Sequence, residues 1–431
     1  MRITRAVLFL SLAASSLRAQ TTVDSLRLST LRAAAATNDA RAAQMELLAS
    51  QSALRLKAIA NDLKPAFSID GIAQYQSDVP TLGASLPGIS IPTAPHDTYD
   101  ARVSAQQNIF DPSINARRSV ERAQVAESQA RVRTALYTLN EAVNAAFYAA
   151  LRSQAAVAEL ETTVTDLEAQ LDAADKRVKG GTALPSESNT LRAELLRRRQ
   201  SISEQQAIRR AAIGTLSGLT GKPIDSLAPV AAPDLAAEAS AARSKLESLR
   251  ARPEYEQFAR SREVLDQTAN ASRARELPRV SAFARAGYGK PGLKFLGDKF
   301  ESYWVGGVQF QWTPWNWGAS SRERQISQLQ KRIVDTEEEA FTDQLHRAVE
   351  QDLATIDRLE ASLADDDRII ALRESIFAET RSRYRESVIT SAEYVDRQTD
   401  VLSARLTRAL HRVELSQAQA HLLTTLGAEV R

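Results

Sequence analysis

The sequence predicts a mainly α-helical chain with a small transmembrane-type β portion, built as two internal repeats. Three observations predict it. Landmarks recur at a nearly constant offset, two very long runs lack proline and glycine, and four short segments alternate with period two. Pro65 leads to Tyr75 as Pro278 leads to Tyr288, an offset of 213. Asn108-Ile109-Phe110-Asp111 corresponds to Thr313-Pro314-Trp315-Asn316 at 205, and Arg177, Glu187 and Gly221 correspond to Arg383, Glu393 and Gly427 at 206. The halves are thus equivalent, with length change confined to the strand pair. The repeats are read as 20–245 and 246–431.

The first residues read as a secretory signal over 1–19. Arg2 and Arg5 are basic, Ala6 to Leu17 apolar, and Leu17-Arg18-Ala19 a cleavage site. No later run of about 18–20 apolar residues could form a transmembrane helix. Residues 24–62 then read as helix interrupted near Asn38-Asp39. Residues 246–276 repeat it, with Arg252-Pro253 at the equivalent interruption.

Each helical run ends at a proline that opens a strand. The strands are expected at 66–76, 100–109, 279–289 and 302–312, about the ~9–11 residues of a membrane-spanning strand. In the second, Val103, Ala105, Gln107 and Ile109 oppose Arg102, Ser104, Gln106 and Asn108. In the fourth, Trp304, Gly306, Val308, Phe310 and Trp312 oppose Tyr303, Gly307, Gln309 and Gln311. One face suits lipid and the other water. The links are turn-rich, with Pro80, Pro87, Pro92 and Pro95 in 77–98 and Gly292 and Gly297 in 290–301. Trp304, Trp312, Trp315 and Trp317 are the only tryptophans. With Phe110 at the Trp315 position, they read as a membrane-interface belt; the other reading is an aromatic cluster in a soluble core.

The helical hairpins follow, at 113–220 and 319–426. Neither 114–179 nor 319–385 contains proline or glycine, and at about 1.5 Å per residue each run would reach ~100 Å. Val157, Leu160, Val164, Leu167, Leu171, Ala174 and Val178 alternate spacings of three and four, a coiled-coil seam; Leu363, Ile370, Phe377 and Tyr384 recur every seven. Arg197-Arg198-Arg199 and Asp365-Asp366-Asp367 read as solvated faces.

At the hairpin tips, Arg177 is followed by Gly180-Gly181, Leu184, Pro185 and Glu187. In the second copy Arg383-Tyr384 is followed by Ser387, Thr390 and Glu393. Thr390-Ser391-Ala392-Glu393 is a capping box, and Pro185 suits a first helical turn. Glu393 and Asp396 share one helix face; Thr190 stands at the position of Asp396. Read from the residues alone, Glu393 caps its helix and Asp396 is surface.

Charge and chemistry narrow the function. Lys plus Arg (55) nearly balances Asp plus Glu (53), a net +2, which argues against a nucleic-acid partner. Without cysteine there is no disulfide, thiolate site or lipid-modified cysteine. His96, His346, His411 and His421 lack ligand-like spacing. No metal, cofactor, nucleotide loop or catalytic constellation is expected. Four strands cannot close a barrel, since the smallest have about eight, and an open edge is forbidden in lipid. A membrane-spanning form must therefore oligomerise, with two or more copies.

The repeat order, the Arg252-Pro253-Glu254 start of the second copy, the crossings at Asn108-Ile109-Phe110-Asp111 and Pro314-Trp315-Asn316-Trp317-Gly318, and the two tips together resemble the TolC family of outer-membrane factors. The match spans almost the whole mature chain. Ser387 stands where the family prefers glycine, and Leu184 where it has Ser or Thr. The resemblance implies a trimeric TolC-like fold, with four strands per chain in a shared twelve-strand barrel continuing into a twelve-helix periplasmic tube. It implies a passive export channel in the outer membrane, serving a tripartite efflux pump or a type I secretion system. The homotrimer would dock a periplasmic adaptor tied to an inner-membrane pump. Carried over residue by residue, Glu393, Asp396 and Glu187 become gate residues, while Arg177, Gly180, Gly181, Arg383, Tyr384, Ser387 and Thr390 become adaptor-docking tips. The alternative is a periplasmic coiled-coil adaptor or tether without channel activity.

Overall fold

Four antiparallel strands stand at one end of the computed structural model, and two helical hairpins run away from them. The structure describes residues 25–79, 93–243, 250–294 and 297–428. The expected signal at 1–19, Pro80, Pro87 and Pro92 of the first strand link, and the repeat boundary at 245–246 lie outside the described residues. The first repeat contains α1 (Leu28–Asn38), a short 3-10 turn (Ala40–Ala43), α2 (Gln44–Asn61), β1 (Ala66–Tyr75), β2 (Asp97–Phe110), α3 (Pro112–Tyr137), α4 (Leu139–Lys179) and α5 (Pro185–Thr220). It ends with α6 (Ala236–Arg243), and the second repeat contains α7 (Pro253–Ala274), β3 (Arg279–Lys290), β4 (Glu301–Gln311), α8 (Ala319–Arg385) and α9 (Ser391–Thr425).

The strand order is β1-β2-β3-β4, so the two repeats join edge to edge through β2 and β3. Arg102 pairs with Asp70 and Gly287, and Gly287 with Tyr303. This row and its alternates place Ser68, Asp70, Asp100, Arg102, Ser104, Arg285 and Gln309 on one face. Phe67, Ile69, Val103, Tyr288, Trp304, Val308 and Phe310 lie on the other, all solvent-exposed in the single chain. The polar and apolar faces expected from the alternation are therefore both present. At Ile109 the register slips by one. This β-bulge puts Phe110 opposite Val280, and so in the row of Phe310 on the apolar face. Simple alternation would have left Phe110 on the polar side.

Toward the sheet, the helices pack in the order α2-α3-α7-α8; beyond, α4 and α9 pack together, flanked by α5 and α8. The hairpin-closing glycines explain the two interruptions. Gly221 and Gly427 both have positive φ, +66° and +74°. A Cβ on Gly221 would lie 2.0 Å from the Asn38 side chain, and one on Gly427 2.8 Å from the Arg252 backbone nitrogen. Each repeat thus folds its hairpin end onto its own interruption.

Around that level lies the main core. Leu28, Leu31, Phe147, Tyr148, Ile213, Leu216, Leu235 and Leu423 pack together from both repeats. A second cluster holds Tyr255, Leu345, Val349, Ile356, Leu359 and Leu422. Arg32, 8% exposed, is satisfied there by neutral groups: it donates to Asn144 Oδ1 at 2.7 and 2.9 Å and to Thr424 Oγ1 at 2.8 Å.

Three expectations need correction. The unbroken first helix is instead α3 and α4, parted at Thr138. The Glu141 amide reaches only to Thr138 O, three residues back, and the Thr138 hydroxyl donates to Ala135 O at 2.8 Å. Such back-bonding loosens a helix without proline or glycine. The seam of α4 also shifts. Its buried line is Ser153, Ala156, Leu160, Thr163, Leu167, Gln170 and Ala174, while Val157, Val164, Leu171 and Val178 are half-buried beside it. Packed between α5 and α9, the helix buries a face wider than a two-helix seam. Last, the charge runs are not simply solvated. Arg198 turns inward to Glu194 (2.5 Å) and Thr399, and Asp366 turns inward to His411 (2.6 Å). Both Glu194 and Asp366 are buried.

Candidate functional site

The two tips share one backbone design. At the first, the Thr182 amide donates to Arg177 O (2.9 Å) and the Gly181 amide to Val178 O (3.1 Å). At the second, Val388 donates to Arg383 O (2.9 Å) and Ser387 to Tyr384 O (3.0 Å). Both are Schellman turns, with Gly181 at φ +73° and Ser387 at +59°. The serine that replaces glycine therefore does not change the turn; it takes the left-handed conformation that L residues adopt at a cost. Gly180 stays in the right-handed region at the end of α4.

Side chains then join the tips to each other. The Arg177 guanidinium lies 4.9 Å over the Tyr384 ring and donates to Ser387 Oγ at 3.3 Å. Tyr384, 1% exposed, stacks on Tyr394 with centroids 4.8 Å apart. Its pKa is raised, chiefly by burial, with Glu187 adding to the shift and Arg177 opposing it. Arg177, Tyr384, Ser387 and Glu187 are thus brought together. Arg383 points outward, exposed, with no ion pair among the described residues.

Thr390 caps α9, its hydroxyl accepting from the Glu393 amide at 3.3 Å. Half of the capping box is therefore formed, and among the described residues the Glu393 carboxylate makes no return bond. Among the described residues Asp396 meets only Arg397, 3.7 Å away. Both acids are exposed on one face of α9. Leu184, at the corresponding cap of α5, offers no side-chain bond and is 69% exposed.

The sequence reading missed the strongest polar contact between the hairpins. Asp166 of α4 accepts from Arg381 of α8 (3.0 Å), from Gln398 of α9 (2.6 Å) and from the Tyr394 hydroxyl. Burial, then the Asp166 hydrogen bond, drives the Tyr394 pKa sharply upward. Asp166, Arg381 and Gln398 line a cleft of about 440 Å³ between α4, α8 and α9. The only sequence signal was an acid on the flank of an apolar seam. Among the described residues, no group of three or more metal-ligating side chains gathers.

At the sheet end, the aromatic residues are outside every core. Trp304, Trp312, Trp315, Trp317 and Phe110 are all exposed, Trp317 most at 80%. They do not form one level. Trp304 stands eight residues along β4 from Trp312, ~27 Å at about 3.4 Å per residue. It lies nearer the strand end where Tyr99 and Tyr288 stack on Phe300. Trp312 is fixed at the opposite end, its indole N–H donating to Glu276 O at 3.0 Å, near the edge-to-face pair Trp315–Trp317. Two aromatic levels thus lie at opposite ends of the apolar face of the strands.

No protein-family profile matches the chain, and no characterised protein sequence does. Solved structures do match. The outer membrane protein VceC of Vibrio cholerae aligns with a TM-score of 0.66 at 12% identity, over 94% of this chain and 97% of that one. The MtrE outer membrane channel of Neisseria gonorrhoeae, in its open state, aligns with 0.64 at 15%, over 94% and 90%. The CmeC outer membrane channel of Campylobacter jejuni aligns with 0.64 at 13%, over 100% and 94%. The chain has the TolC-like fold of these channels.

Proposed function

We propose that the chain is one subunit of an outer-membrane export channel: a homotrimer whose three sheets close a twelve-strand barrel in outer-membrane lipid and whose helices continue it as a periplasmic tube. The observation that carries this reading is that the chain is unfinished on both edges. Among the described residues, β1 and β4 each leave one backbone edge unpaired, which lipid does not tolerate. The flanking helices show matching deficits. Leu47 and Leu54 on α2, and Leu196 and Ile208 on α5, are exposed at one side. Ile326, Leu329, Ile333, Ile369, Leu372 and Ile376 are exposed along α8 at the other. Different surfaces at opposite edges suit head-to-tail contacts, which close a ring. The number three rests on the likeness to the TolC fold. A periplasmic tether would leave this apolar sheet face without a role.

In this reading the tips face an adaptor coupled to an inner-membrane pump, which supplies the energy. Arg177, Gly180, Gly181, Arg383, Tyr384, Ser387 and Thr390 form the docking surface, and Glu393, Asp396 and Glu187 the gate. Phe110, Trp312, Trp315 and Trp317 anchor one membrane interface, and Trp304 stands toward the other. The exposed, barely compensated Glu393–Asp396 pair supports the gate assignment, since three copies around an axis would gather six carboxylates.

Detergent extraction followed by single-channel recording tests the channel; a protein soluble without detergent that forms no pores would refute it. Glu393→Gln with Asp396→Asn should raise conductance and weaken block by multivalent cations. Unchanged values would return both acids to ordinary helix surface.

A further inference from the structure

The polar sheet face contains only two aromatic side chains among the described strand residues, Phe283 and Tyr303, and each is paired with a glycine across the ladder: Phe283 with Gly307, Tyr303 with Gly287. A Cβ on Gly307 would lie 3.0 and 3.1 Å from the Phe283 Cζ and Cε1 atoms. A Cβ on Gly287 would lie 2.7 Å from the Tyr303 Cζ and hydroxyl. In both cases the far end of the ring, not its base, meets the glycine. The side chains therefore lie across the neighbouring strand, spanning the ~4.8 Å interstrand gap, instead of standing off the sheet. Tyr303 goes further. Its hydroxyl crosses β3 and donates to Asp100 Oδ1 on β2 at 2.5 Å.

We propose that Gly287 and Gly307 set the bore of the barrel, by leaving wall space over which Tyr303 and Phe283 fold flat. This rests on the channel reading, in which the polar face lines the lumen. A β-carbon at either glycine takes the volume that the ring now fills. The displaced ring has one open direction, away from the sheet and into the water-filled bore. Three chains multiply this to six rings, so a small change in the wall becomes a large change in passable cross-section. The glycines are thus determinants of the size of cargo that passes, at a level far from the periplasmic tips.

Single-channel recording in planar bilayers, with potassium chloride and then a bulky organic cation as permeants, tests this. Gly307→Val should lower conductance, by about twofold or more for the bulky ion, as expected when pore radius limits passage. Adding Phe283→Ala to Gly307→Val should restore it, which a general fault in the wall would not. Phe283→Ala alone should leave conductance unchanged, because a ring already lying on the wall obstructs nothing. Pores of unaltered conductance in Gly307→Val, or no recovery in the double variant, would overturn the inference while leaving the channel intact. If Gly307→Val does not assemble, Phe283→Ala decides: a rise in conductance would mean that the ring stands in the lumen, and the inference fails. Absence of pores in the unaltered protein would remove the channel reading and this inference with it.

Discussion

The two hairpin tips have the same backbone and different attachments. Hydrogen bond for hydrogen bond, the Schellman turn at Gly181 is repeated at Ser387. One turn behind it the chemistry diverges. At the first tip, Asp175 is bound within its own hairpin by Ser188 and, at 3.4 Å, by Arg192. The positions 206 residues on are Arg381 and Tyr394, and both reach out of their hairpin to Asp166 of the other. At this level Asp175 ties the first hairpin to itself, whereas Arg381 and Tyr394 tie the second to its neighbour. Duplication preserved the turn, whose geometry is a backbone property, and left the side chains free to take up different partners.

The largest expected effect tests that difference directly. Asp166→Ala strands three donors and should cost about 2–3 kcal/mol, read as a lower denaturant midpoint of the helical portion. Asp175→Ala should cost less than about 1 kcal/mol, since Arg192 is exposed. Equal losses would erase the distinction between the tips. The caps come next: Thr390→Ala should cost about 1 kcal/mol, whereas Leu184→Asp should stabilise α5 by about 0.5–1 kcal/mol by supplying the cap it lacks. Circular-dichroism melts of the two variants would show opposite shifts.

A third difference is pH dependence. His421 of α9 meets Asp352 of α8 at 2.7 Å, where the first repeat has Thr215 and Ala146. Asp352 also accepts from Thr425, while Glu141 and Arg252 face the imidazole. The His421 pKa is raised, first by its bond to Asp352, against the opposing effect of burial. Because the folded value lies above the ordinary 6.5, the ion pair's stabilisation is full below about pH 6.5. It is lost as pH rises through the folded value. Unfolding free energies measured from pH 5.5 to 8.5 should fall across that window, by less than about 1 kcal/mol because the imidazole is half-exposed, and His421→Gln should flatten the slope. The smallest effect belongs to the turn itself. Ser387→Gly relieves left-handed strain but loses the Arg177 contact, and should change stability by only a few tenths of a kcal/mol. A large loss would mean that the Arg177–Ser387 bond, and not the turn, holds the second tip.

Local pattern carried most of the fold. Alternation in 100–109 and 302–312 placed those strands to within three residues and assigned their faces, because a strand between lipid and water must alternate. What local pattern did not carry was partnership. Nothing near Asp166 marks it as the acceptor for residues more than two hundred positions away, and Arg198 looks as soluble as Arg197 until Glu194 is buried beneath it. The α4 seam was misplaced for the same reason: a helix wedged between two neighbours buries small and polar residues such as Ala156, Thr163 and Gln170, which a two-helix pattern leaves outside. Phe110 was legible only as a counterpart of Trp315, and the bulge that puts it on the apolar face has no signature in the residues around Ile109.

The break at Thr138 leaves the two halves with helices of different continuity. α8 is a single helix of 67 residues, about 100 Å long, so one unbroken hydrogen-bonded ladder links Arg383 to Ala319 beside the tryptophans. The corresponding path in the first half passes through Thr138, where the hydrogen-bond ladder tightens to a three-residue step. In the proposed trimer, three of the six paths from tip to sheet would thus be unbroken helices.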